Sequence, residues 1–200
     1  MMFSRLGTEP GEYLYVLEND VNGRWLSNRH WAVLYPTHLL GIKEMTAASG
    51  VYYRGKNSKD LEFHNAADVS MKDVLPTARD RGIELRRQVF HGHPLTVDFK
   101  EYGYGQLRKC YLMSACHDAV DEMDPPILLR KVYFDKIKRM YRHAEVWGTD
   151  QTSPVFFGYP VNGNRQYQWV GVLMPMNYHV NCLEATIPEY KDKLRMKEGH

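Results

Sequence analysis

The stretch Ile127-Leu-Leu-Arg-Lys-Val-Tyr-Phe-Asp-Lys-Ile-Lys-Arg-Met140, continued by Glu145-Val-Trp-Gly148, Pro154-Val-Phe-Phe157 and Tyr167-Gln-Trp-Val-Gly-Val-Leu-Met-Pro-Met176, decides the fold. Ile127 to Arg130 is a short apolar run, the pattern of a buried strand. Val132 to Ala144 reads as a helix: at 100° per residue Ile137, Met140, Tyr141 and Ala144 share one side, and Lys136, Lys138, Arg139, Arg142 and His143 the other. One side packs on a sheet and the other is cationic. Glu145 to Gly148 and Pro154 to Phe157 flank the polar Thr149-Asp-Gln-Thr-Ser153, and Tyr167 to Met174 is a last strand.

Working outward, an offset of 95 residues sets Ile42-Lys-Glu-Met45 on Ile137-Lys-Arg-Met140, Val51 on Val146 and Leu61 on Phe156 without a gap. A repeat restricts architecture more than local propensity does. Thr37 to Ala48 has the Thr start and apolar returns of a helix, with Gly50 in the C-cap place. Val51–Arg54 and Leu61–His64 then form a hairpin around a polar turn. Ahead of the helix, Glu12–Leu17 and Arg24–Tyr35 read as strands around the turn residues Asn19-Asp-Val-Asn-Gly23. Between the two copies lie a helix from Ser70 to Arg81, shortened by Pro76, and strands at Ile83–Phe90, Leu95–Phe99 and Leu107–Met113. The acidic, Pro-ended segment Asp118–Pro126 is the best internal boundary. It divides the chain into units 1–117 and 118–178 and a charged tail, 179–200. The fold class expected is α+β, with antiparallel sheets carrying two or three short helices on one face in a pseudo-repeated unit.

With 44% hydrophobic and 25% charged residues, the 200-residue chain has an ordinary globular composition and can bury a core. No run of about 18 apolar residues is present to span a bilayer, and the N-terminus lacks the apolar core of a signal peptide, so the cytoplasm is the expected location. Cys110, Cys116 and Cys182 are odd in number and lack C-x-x-C spacing, which signals neither a disulfide framework nor a zinc ribbon. The net charge of +2 means that any nucleic-acid contact must come from where the basic residues sit.

The series from Leu128 to Met140, then Glu145-Val-Trp147, Ser153-Pro-Val155 and Trp169-Val-Gly-Val-Leu-Met-Pro-Met176, resembles the closing portion of a DNA sliding clamp. It is most similar to the bacterial polymerase III beta subunit family, whose final domain ends in a helix, a Ser-Pro-Val type strand and a Val-Met-Pro-Met type terminus. The resemblance covers about 50 of the 200 residues, and the final motif is its specific part. It implies a ring-forming homo-oligomer without enzymatic activity or cofactor. Helices would line a positive channel around duplex DNA. A groove on the outer face would accept short peptides from DNA polymerase and other clamp-binding proteins. At the matching positions Ser153, Pro154, Val155, Val172, Met174, Pro175 and Met176 would border that groove, while Lys43, Lys136, Lys138, Arg139 and Arg142 would face DNA. The chemistry is sensible without the family: flexible Met beside rigid Pro makes an adaptable apolar pocket, and Lys or Arg tracks phosphates without reading sequence.

Two other function classes compete. His91-Gly-His93, with Asp98 and His64 as further ligands, has a spacing found in β-built metal sites and would make a small metal-dependent hydrolase or nuclease. The blander reading puts both imidazoles in a solvent-facing loop before Pro94. A third reading is an inhibitor or decoy that borrows a clamp surface to bind a host protein. His179/Cys182 and Cys116/His117 imply no third orienting residue, and Gly103-Tyr-Gly105 is too short for a phosphate loop.

Overall fold

On most of the described chain, side chains buried on successive residues point alternately to two apolar layers, which is the signature of strands covered on both faces. The computed structural model describes residues 13–56, 61–66, 71–75, 85–90, 93–98, 107–115, 127–161 and 166–176. In chain order the elements are β1 (Tyr13–Asp20), β2 (Gly23–Ser27), β3 (Trp31–Pro36), α1 (Ile42–Met45), β4 (Gly50–Tyr53), β5 (Glu62–Asn65), α2 (Met71–Val74), β6 (Arg86–Phe90), β7 (Leu95–Asp98), β8 (Leu107–Ala115), β9 (Ile127–Arg130), α3 (Lys131–Met140), β10 (Glu145–Gly148), β11 (Val155–Val161) and β12 (Gln166–Leu173). This is a sheet-rich α+β fold.

The strands form one twelve-stranded sheet in the order β5-β4-β1-β2-β3-β12-β11-β10-β6-β8, every pairing antiparallel. β6 and β7 share one edge of β8, and β9 takes the other edge. Met113 is opposite both Phe90 and Ile127, and Cys110 is opposite both Leu95 and Arg130. β6 to β8 thus join β9 and β10 in the sheet, whereas the expected division after residue 117 grouped them with the first unit. Cys110 is wholly buried there, and its thiol is pushed up to about 12 by burial, against the pull of Arg130 and Arg108.

One apolar layer holds Leu14, Val16, Leu26, Trp31, Val33, Val155, Phe157 and Leu173, covered by Tyr133, Phe134 and Ile137 of α3. The opposite layer holds Tyr15, Leu17, Trp25, Ala32, Leu34, Phe156 and Val172, with Met71 of α2 packed on it. Helices therefore lie on both faces, not on one as expected. α3 sits close on β12 because residue 171 is glycine: a Cβ there would stand 2.8 Å from Cγ2 of Ile137.

The helix expected from Thr37 to Ala48 is a 3-10 turn, Thr37–Leu39, followed by the single turn α1. Leu40 (ψ 134) and Gly41 (ψ 168) between them are extended. Glycine inside a helix costs about 1 kcal/mol relative to alanine, and the end of α1 has a better partner than a further helical turn. The buried guanidinium of Arg24 donates from Nη1 to the carbonyls of Glu44 (3.0 Å) and Met45 (3.3 Å), from Nε to that of Leu17 (3.2 Å), and from Nη2 to Ser49 Oγ (3.2 Å). α3 likewise stops at Met140, four residues before the expected Ala144, because Tyr141 (φ −129, ψ 63) leaves the helical region and its hydroxyl donates to the carbonyl of Leu34.

Of the helix expected at Ser70–Arg81 only residues 71–75 are described, with α2 over Met71–Val74, and the tail 179–200 lies outside the described residues. The 95-residue offset carries α1 onto the last turn of α3 and β4 onto β10, bound for bound. β4 lies between β1 and β5, and β10 between β6 and β11.

Candidate peptide-binding site

Strands β1, β2 and β3 end together beside the last residues of β12, and α2 lies over the gap. Glu18 holds α2 in place by accepting the backbone N–H of Met71 at 2.7 Å. The result is a cavity of about 270 Å³ lined by Tyr15, Leu17, Ser27, Arg29, His30, Trp31, Ala32, Met71, Val74, Pro154, Val172 and Met174. Its floor is the apolar layer of Tyr15, Leu17, Ala32 and Val172. The rim is the turn between β2 and β3, where Asn28 Oδ1 accepts the N–H groups of His30 (3.0 Å) and Trp31 (3.1 Å) and Ser27 Oγ accepts that of Arg29 (3.2 Å). Met174 closes one side. Its N–H donates to the carbonyl of His30 at 2.8 Å, and its side chain is 38% exposed.

Three of the seven residues expected to border a groove, Pro154, Val172 and Met174, meet in this cavity. The other four do not line it. Val155 follows Pro154 by one residue on a strand, so it points through the sheet and is wholly buried in the opposite layer with Phe157. Ser153 is turned to Asp150, donating from Oγ to Oδ2 at 2.6 Å and from its backbone N–H to Oδ1 at 2.7 Å. Burial alone would raise the carboxyl pKa of Asp150, but hydrogen bonds from Ser153 and Thr152 outweigh it and hold the group at about 2. Pro175 and Met176 run past the cavity to β9, where the Met176 N–H donates to the carbonyl of Leu128 at 2.8 Å.

The rest of the lining escaped the sequence reading. Tyr15, Leu17 and Ala32 look like ordinary strand residues, and only the topology brings β1 and β3 beside Val172. A signal did exist for the rim: Ser27-Asn-Arg29 between two apolar runs is turn chemistry that tolerates a left-handed residue.

The five basic residues expected to face DNA fall into two groups. Lys43, Arg139 and Arg142 are exposed. Lys136 and Lys138 are half-buried and engaged within the chain. The Lys136 ammonium sits 4.4 Å from the centre of the Trp31 ring, and that of Lys138 donates to the carbonyl of Ala144 at 2.8 Å, where burial lowers its pKa. At the start of the helix Lys131 is paired with Asp135, which also accepts from the Tyr111 hydroxyl.

For the metal reading, His64 is on β5 and His93 just before β7. His64 on β5 and His93 ahead of β7 stand at opposite ends of the strand order, which runs from β5 to β8 and β7. His93 is exposed, as the solvent-loop reading expects, while His91 and the side chain of Asp98 lie outside the described residues. Among the described residues no three His, Cys, Asp or Glu side chains gather to hold a metal ion.

Compared with known proteins, the chain matches no family model, no curated protein and no solved structure. No helix among the described residues is long and apolar enough to cross a membrane.

Proposed function

We propose that this chain is a sliding-clamp-like accessory protein of DNA replication, a processivity factor without enzymatic activity. Its apolar cavity takes a short peptide of a DNA polymerase or another clamp-binding protein. The observation that carries this reading is the meeting of Pro154, Val172 and Met174 in one cavity with Tyr15, Leu17 and Met71. Those first three were singled out by a motif spread over 21 residues, yet they end up around one opening. Met174 and Met71 give the walls the adaptability that a site for several peptides needs. The correspondence of α1-β4 with the end of α3 and β10 at an offset of 95 residues, each strand pairing on one side with the strand that follows it (β5 and β11), fits the pseudo-repeated unit such clamps are built from.

On the same reading Arg139, Arg142 and Lys43 make the free phosphate contacts, and Lys136 and Lys138 add positive potential from half-buried positions. A homo-oligomer closes the ring around duplex DNA.

Fluorescence anisotropy with labelled peptides from a replicative polymerase tests the cavity. Met174→Glu buries a charge at its wall and lowers affinity at least about tenfold; unchanged affinity overturns the assignment. Separately, reversal of Arg139 and Arg142 to Glu weakens duplex binding and lowers its salt slope by about 1 for each lost phosphate contact. A duplex affinity indifferent to both reversals removes DNA from the reading. Mass measurement in solution checks the oligomer.

A further inference from the structure

Arg29 has a backbone φ of 75, which no other non-glycine residue among the described residues shares as a positive value. In that region a side chain's Cβ crowds the backbone, so glycine or asparagine is the usual occupant. The conformation is imposed by the turn around it, chiefly by Asn28, whose Oδ1 takes two backbone N–H groups and whose own N–H donates to the carbonyl of Trp31 at 3.1 Å. A strained non-glycine residue at the mouth of a cavity marks that position as a candidate for function. The guanidinium is also aimed: its Nε donates to the Tyr15 hydroxyl and its carbon lies 5.3 Å from the centre of the Tyr15 ring. Tyr15 is part of the cavity floor.

The cavity's charge is one-sided. Among the described residues that line the cavity, Arg29 is the one permanently charged group and no acid is present. A guanidinium held through Nε presents its two terminal nitrogens as a planar fork, the geometry that matches a carboxylate. At about 270 Å³ the space is just below the range of sites for drug-sized molecules, roughly 300–1,000 Å³, and suits one or two side chains. We propose that the occupant is an extended peptide in which an Asp or Glu adjoins one or two large apolar residues, with the apolar side chains inside the cavity and the acid gripped by Arg29. This rests on the peptide-binding reading above and adds the charge requirement to it.

The test pans a displayed random heptapeptide library on wild-type protein, Arg29→Gly and Met174→Glu. Glycine adopts the turn conformation freely, so Arg29→Gly keeps the fold, checked by an unchanged or raised Tm. The wild type enriches sequences with an acid beside Leu, Ile, Met or Phe, and Arg29→Gly does not. The best peptide then loses affinity about tenfold when its acid is changed to the amide, on wild type and not on Arg29→Gly. Arg29→Lys, which keeps the charge and loses the fork, recovers only part of that difference. Apolar sequences without an acid, enriched equally on wild type and Arg29→Gly, overturn the role of Arg29 and leave the cavity reading standing. No enrichment on wild type beyond that on Met174→Glu overturns both.

Discussion

Ile42 and Ile137 stand 95 residues apart in near-identical tetrapeptides, Ile-Lys-Glu-Met and Ile-Lys-Arg-Met, yet Ile42 is 82% exposed and Ile137 wholly buried. Both are helical, so the difference lies in what precedes them. Ahead of Ile137 are Tyr133 and Phe134, both buried against the sheet, and the helix is already a full turn old. Ahead of Ile42 are the extended residues Leu40 and Gly41, so α1 starts at Ile42 with nothing behind it to press it down. Below Ile137, Gly171 leaves room for the side chain to seat against β12. The two isoleucines thus take opposite burial because anchoring aromatics and a yielding floor exist at one site and not at the other.

Substitutions ranked by expected effect put this contrast at risk. Ile137→Ala removes a fully buried side chain and leaves a void under α3; the expected loss is about 4 kcal/mol in urea unfolding. Arg24→Leu strikes what stands in for those aromatics in the first half. It takes the guanidinium donor from the carbonyls of Glu44 and Met45, and leaves that of Leu17 with the Ser49 hydroxyl alone; the expected cost is about 3 kcal/mol by the same measurement. Asp150→Gly imports the residue found 95 positions earlier, Gly55, and dissolves the turn ahead of β11 at about 1 kcal/mol near neutral pH. The folded carboxyl titrates near 2, below the unfolded value of about 4. Its stabilisation is therefore complete above pH 4 and fades as pH falls through 2, and the gap between wild type and variant closes over that window. Ile42→Ala changes stability by less than about 0.5 kcal/mol. A cost matching that of Ile137→Ala would mean Ile42 is covered in solution.

Most strands were readable from the sequence because their apolar runs are bounded by turn residues. Ile127–Arg130 and Glu145–Gly148 match to the residue. The helix break at Leu40-Gly41 was not, since it depends on Arg24 reaching from β2 to carbonyls 20 and 21 residues away. The candidate site shows the same limit. A local motif named Pro154, Val172 and Met174, but strand alternation turned Val155 through the sheet, and an Asp150 carboxylate claimed Ser153. Arg29 and Met71, which complete the cavity, come from parts of the chain more than 80 residues before Pro154. Period and composition carry no information about such contacts.

β12 is the last strand in the described chain, yet it sits in the middle of the sheet, pairing with β11 on one edge and with β3 on the other. Leu173 meets Trp31 across about 140 residues. During synthesis β1 to β5 and β6 to β11 can each pair within themselves, but the exposed edges of β3 and β11 stay open until Gln166–Leu173 emerges. Closing so long a loop is entropically slow. The interval before it closes is the window in which open strand edges invite pairing with another chain, so a nascent chain cut short before Gln166 is the form of this protein most prone to aggregate.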